Sequence, residues 1–154
     1  MRNNFRCAVE TGDGQSTKGA ASNPLEDVFM KFMMLMIPAV YQGGQQPEPG
    51  FAPDPEKMAQ MGAFNQELGK ALKILDLNGL HPQVDGARVS FSGGKASVTD
   101  GPFIESKEVL GGYWLIEAAS KEEVVKWAER CPADDGDTIE IRQIFGADEF
   151  ETAK

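Results

Sequence analysis

The sequence predicts an α+β fold, a βαββαβ arrangement with a β-hairpin inserted between its halves. Three observations carry this. Short apolar segments at 31–37, 112–118 and 138–145 read as strands, and two stretches with apolar spacings of three and four stand behind helix-start residues. A Gly-Gly pair also separates two runs whose side chains match across a turn. The chain's 154 residues fit one domain.

Residues 1–29 include Thr11-Gly12-Asp13-Gly14-Gln15-Ser16 and Gly19-Ala20-Ala21-Ser22 and show no apolar period. Such a segment buries too little to offset its ordering entropy. It is expected to be a polar leader, either a disordered tail or a start placed too early, with Met30 as the natural alternative start. The folded domain is expected over 30–146, with an acidic tail at 147–154. Lys31–Ile37 opens the domain as a strand. Met33, Leu35 and Ile37 point one way and Phe32, Met34 and Met36 the other, so both faces need cover. Helices supply one cover; in so short a chain, a second subunit supplies the other.

Gln42–Pro53 is a Gly/Pro/Gln-rich loop, long enough for a lid or for simple disorder. Asp54-Pro55 starts a helix with an N-cap acid and a proline at the first helical position. Met58, Met61, Phe64, Leu68 and Leu72 form its apolar stripe. Ala71–Leu75 reads as helix or strand, and Leu77–Pro82 as a turn-rich connector. Arg88–Ser92 and Lys95–Thr99, joined by Gly93-Gly94, form the hairpin. Its register pairs Phe91 with Ala96, Val89 with Val98, Ser90 with Ser97 and Arg88 with Thr99, so apolar faces apolar. Gly112–Ala118 is a strand with Trp114, Ile116 and Ala118 on one face. Ser120 and Glu123 form a capping box for a helix with the stripe Val124, Trp127, Ala128 and Cys131, stopped by Pro132. Thr138–Phe145 alternates and closes the fold.

Composition excludes more than it assigns. The net charge of −9 opposes binding to a phosphate backbone, so no nucleic-acid partner is expected. Cys7 and Cys131 form no CxxC or Cys/His cluster, which argues against a thiolate zinc site and for a reducing cytoplasm. The longest apolar stretch, Val28–Val40, is broken by Lys31 and is shorter than the roughly 20 residues of a membrane span. No P-loop, GxSxG, HExxH or dinucleotide fingerprint appears. No cofactor and no metal are expected.

Thr99-Asp100-Gly101-Pro102-Phe103 follows the hairpin. Glu105-Ser106-Lys107-Glu108, Gly111-Gly112-Tyr113-Trp114-Leu115-Ile116 and Trp127-Ala128-Glu129-Arg130-Cys131-Pro132 come after it in order. Together with Lys31–Ile37 and Gly79-Leu80-His81-Pro82, these motifs resemble the DGPF-domain branch of the YCII-related family, over about Met30 to Phe145. The resemblance implies a ferredoxin-like fold with an antiparallel sheet and helices on one face, dimerising as in the dimeric α+β barrel superfamily. It implies little about chemistry; the reading taken is a bacterial protein of unassigned activity that binds a small organic molecule in a cleft beside the sheet, with a non-catalytic accessory or regulatory protein linked to extracytoplasmic-function sigma factors as the alternative. Two places depart from the family pattern. Leu72 stands where a glycine commonly ends the first helix, and the 42–53 loop is long.

The family's proposed His–Asp dyad falls by position on His81 and Asp100. His81 is the only histidine and the only side chain whose ordinary titration lies near neutrality. A carboxylate beside it would fix its tautomer for acid–base work. The pair would meet at the hairpin's open end, where Asp100 falls opposite Ala87. The same residues also have structural readings, His81 as a loop residue before Pro82 and Asp100-Gly101-Pro102 as a turn. Glu105, Lys107 and Tyr113 are the candidates for holding a polar substrate, against exposed charge and strand packing as the alternatives. Whether the chain is an enzyme stays open at this point.

Overall fold

The computed structural model describes residues 29–42, 50, 52–103 and 108–150. The expected leader up to residue 28, most of the 42–53 loop, Glu105, Lys107 and residues 151–154 of the acidic tail lie outside the described residues.

Among the described residues, six strands and two α-helices follow in the order β1 (Met30–Ile37), α1 (Pro55–Ala71), β2 (Lys73–Gly79), β3 (Ala87–Ser92), β4 (Lys95–Asp100), β5 (Gly112–Ala118), α2 (Lys121–Ala128) and β6 (Thr138–Gln143). The main sheet is antiparallel with the order β2-β5-β1-β6, and β3-β4 forms a separate two-stranded sheet. This is the expected ferredoxin-like α+β arrangement with an inserted hairpin.

The helix starts are those the sequence specifies. Asp54 Oδ1 accepts the Glu56 N–H at 2.8 Å, and Ser120 Oγ accepts the Glu123 N–H at 3.2 Å. Glu123 reaches back to the Ala119 N–H rather than to that of Ser120 itself. The ambiguous Ala71–Leu75 stretch divides cleanly. The helix ends at Ala71, and Leu72 turns into extended backbone with its side chain buried. Extended backbone at this boundary needs no glycine, which accounts for the departure at that position. Strand β2 then runs to Gly79, three residues into what reads as a turn-rich connector, because pairing with β5 outweighs its weak local propensity. A register shift between Ile74 and Asp76 leaves Leu75 as the extra residue of a bulge.

Both helices cover one sheet face. Phe32, Met34 and Met36 of β1, Trp114 and Ile116 of β5, Phe64 and Leu68 of α1, and Val124 of α2 form one buried cluster. Phe32, Met34, Leu68, Ile116 and Val124 are fully buried, each contributing about 1.5–3 kcal/mol relative to an exposed side chain. Phe64 meets Trp114 edge-on at 6.2 Å and Trp127 at 6.5 Å. Met58, expected in the buried stripe, is instead 56% exposed, because it faces an open cleft rather than packed side chains.

On the other face Met33↔Leu115 and Leu35↔Tyr113 pair across β1 and β5, and these four side chains are only half-buried. No described helix or strand packs over them. The hairpin has the expected register, extended by one pair, Ala87↔Asp100. Gly93 and Gly94 both hold positive φ, 57° and 74°, as its two-residue turn requires.

Candidate ligand cleft

Backbone convergence builds the site. The Gly111 N–H donates to Met36 O at 2.8 Å, and Gly111 O accepts the Leu80 N–H at 2.9 Å, so the ends of β1 and β2 meet just before β5 begins. A Cβ on Gly111 would overlap the Pro38 ring, which is why this close approach needs glycine. The short turn Ala39–Tyr41 that follows β1 is fastened by Asp137. Its Oδ1 accepts the Ala39 N–H and its Oδ2 the Asp134 N–H, both at 2.8 Å.

Between these strand ends and the first half of α1 lies a cleft of about 250 Å³. Met36, Met58, Met61, Leu77 and Trp114 supply its apolar walls, Pro53 and three glycines its edge, and Asn65 its buried-side amide. Among the described residues no charged side chain lines it. Asn65 Oδ1 accepts the Trp114 Nε1–H at 2.8 Å. Because an indole N–H can only donate, this contact fixes which end of the amide is oxygen.

His81 borders a shallower depression with Tyr41, Leu80 and Pro82, which shares Pro53 and Gly79 with the cleft. Its side chain is 91% exposed, with Nδ1 3.7 Å from Asp85 Oδ2. Burial pushes the neighbouring Tyr41 phenol above its ordinary range. Asp100 ends β4, opposite Ala87 as expected, and is exposed. The turn Gln83–Asp85 sits on the next residue, with the Gly101 N–H donating to Gly86 O at 2.8 Å. Among the described residues no hydrogen bond or ion pair joins His81 to Asp100; the carboxylate beside His81 is Asp85. Tyr113 borders the cleft. Its hydroxyl donates to Asp76 Oδ2 at 2.7 Å and accepts from Asn78 Nδ2 at 3.2 Å, while Asn78 Nδ2 also reaches Asp76 Oδ1 at 3.0 Å.

Sequence reasoning missed Asn65, Asp76 and Asn78. Asn65 had a signal, since 58, 61, 65, 68 and 72 keep alternating spacings of three and four and make it a polar residue on an apolar stripe. Asp76 and Asn78 reach Tyr113 only through the β2–β5 register.

Helix α2 stops at Ala128 rather than running to Pro132, so Cys131 lies three residues beyond it; it is half-buried, and burial, aided by the charge of Asp137, pushes its thiol up to about 11. That suits packing rather than nucleophilic work. No group of three or more His, Cys, Asp or Glu among the described residues could hold a metal ion. No helix there is long and apolar enough to cross a membrane.

Among known proteins, the sequence model of the YCII-related domain matches residues 30–150. An uncharacterized protein, R00369 of Rhizobium meliloti (strain 1021), is 35% identical over 75 residues, which is 49% of this chain and 60% of that protein.

Proposed function

The chain belongs to the YCII-related family, and on that premise we propose that it binds a small organic molecule in the cleft beside the sheet. His81 and Asp100 are the residues this reading assigns to acid–base chemistry there. The observation that carries it is the cleft itself, about 250 Å³ between α1 and the strand ends, with mostly apolar walls and Asn65, Asn78 and Tyr113 as its polar residues. Pockets of this kind, mostly apolar with few polar groups, are where small ligands bind.

His81 supports the chemical half of the proposal because its depression adjoins the cleft. For Asp100 the support is topological, since the turn that follows His81 folds back onto Gly101. Glu105 and Lys107 follow the same turn in sequence and are kept as substrate-binding candidates with Tyr113.

Methyl-labelled methionine NMR during a screen of small organic molecules tests this reading. A cleft ligand should shift the Met36, Met58 and Met61 signals together with the His81 imidazole, and leave Met33 on the opposite sheet face unmoved. Binders that move only Met33, or a broad screen that moves none of these signals, would refute it.

A second reading rests on a different observation. Val89, Phe91 and Val98 line one face of the hairpin and are 54%, 80% and 68% exposed. An accessory or regulatory protein linked to an extracytoplasmic-function sigma factor would use such a face. It predicts that Phe91→Ser abolishes partner binding without disturbing the cleft signals.

A further inference from the structure

We propose, resting on the small-molecule reading above, that the cleft selects a compact, uncharged ligand bearing a carbonyl-type acceptor, which Asn65 Nδ2 hydrogen-bonds. The argument starts from the indole. Trp114 Nε1–H takes Asn65 Oδ1 at 2.8 Å, so the amide cannot flip without setting donor against donor. Trp114 is itself held, 5% exposed and edge-on to Phe64. The amide nitrogen is thereby the fixed end left for a ligand, and it offers only N–H donors. Among the described residues no hydrogen bond occupies it.

Besides Asn65, the described side-chain lining is methionine, leucine, proline and indole, with Asn78 and Tyr113 hydrogen-bonded to each other at its border; none of these returns a charge to an ionic ligand. An ion entering here would lose hydration without a counter-charge, so the selection is against charge. A neutral carbonyl loses less and regains a hydrogen bond from a donor held in place. At about 250 Å³ the cleft lies just below the usual range of ligand pockets, about 300–1,000 Å³, and admits a single substituted ring. The flexible methionine walls adapt to its outline.

Three probes with the same number of non-hydrogen atoms separate these terms: acetophenone, isopropylbenzene and benzoate. Each is titrated into the full chain, with the methionine methyls and the Trp114 indole N–H followed by NMR. Acetophenone should bind several-fold more tightly than isopropylbenzene, although the latter is the more apolar, and benzoate should be weakest. Asn65→Asp keeps an oxygen for the indole but removes the donor, so the order of the two neutral probes should reverse. Trp114→Phe frees the amide to flip and should shrink the preference; it serves as the second variant if Asn65→Asp does not fold. Isopropylbenzene binding as well as acetophenone, or benzoate binding best, overturns the inference and leaves the small-molecule reading standing. A preference for acetophenone that survives both substitutions overturns it too. No cleft shift with any probe overturns the inference, and only the broad screen described above, if it too moves no cleft signal, overturns the small-molecule reading with it.

Discussion

At the scale of single residues, the fold shows where small size and burial decide the outcome. Gly101 is the sharpest case. A Cβ there would overlap the carbonyl oxygen of Gln83 and lie 2.8 Å from its carbon, and both are backbone atoms that cannot swing away. Gly101→Ala should therefore displace the turn Gln83–Asp85 and cost roughly 1–3 kcal/mol, measured by urea denaturation. An unchanged midpoint would show that the turn yields freely. Cys131 gives a pH signature. Its thiol is raised from 9.0 to about 11, first by burial and then by Asp137. The folded state thus holds this proton more tightly than the unfolded chain does. The associated stability is complete below about pH 9 and is lost as pH rises toward 11. Over that window the wild type should lose stability more steeply than Cys131→Ala, and parallel curves would contradict the assignment.

At the scale of elements, legibility followed how local the determining contact is. The hairpin register was readable because each strand carries its own alternation and the Gly-Gly turn fixes the offset, so Phe91↔Ala96 and Val89↔Val98 could be paired from sequence. The helix starts were readable because their caps are made within four residues. Ser120→Ala should accordingly cost about 1 kcal/mol, seen as a lower thermal midpoint, and retention of the midpoint would mean that packing alone holds α2. Strand β2 was only half readable. Its Leu77-Asn78-Gly79 segment has turn composition, and only pairing to Trp114, Tyr113 and Gly112 makes it a strand. The Tyr113–Asp76–Asn78 triangle was hidden for the same reason. Asn65 was legible as a polar residue on an apolar stripe, but its use, orientation by Trp114, depends on a contact 49 residues away in sequence. The site is thus less readable than the fold, because it is assembled where elements meet.

At the scale of the whole molecule, the unresolved force is the sheet's second face. Met33, Leu35, Leu115 and the Tyr113 ring form a continuous apolar strip across the two central strands. The strip has polar flanks. Lys73 and Glu117 pair at 2.9 Å beside it, and Glu140 and Arg142 stand at 3.7 Å on β6. An apolar centre with a charged rim is the anatomy of a protein interface. The strip lies on strands whose opposite faces are already filled by the helices, so the chain's described elements leave nothing to cover it. A second copy meets the need by symmetry, since the same strip can face itself across a two-fold axis. Association would bury these side chains at about 25 cal/mol per Å² of apolar surface. The repulsion between two chains of net charge −9 opposes it and weakens as salt is added. We therefore expect sedimentation at micromolar concentration to give twice the 16.7 kDa chain mass, with the dimer tightening at higher salt. Leu115→Lys, placed at the centre of the strip between Met33 and Asp76, should yield a folded monomer. A wild-type chain that sediments at 16.7 kDa under these conditions would leave the strip solvated and remove the dimer. A dimer that survives Leu115→Lys unchanged would move the interface elsewhere, with the exposed Phe91 face of the hairpin the next surface to substitute.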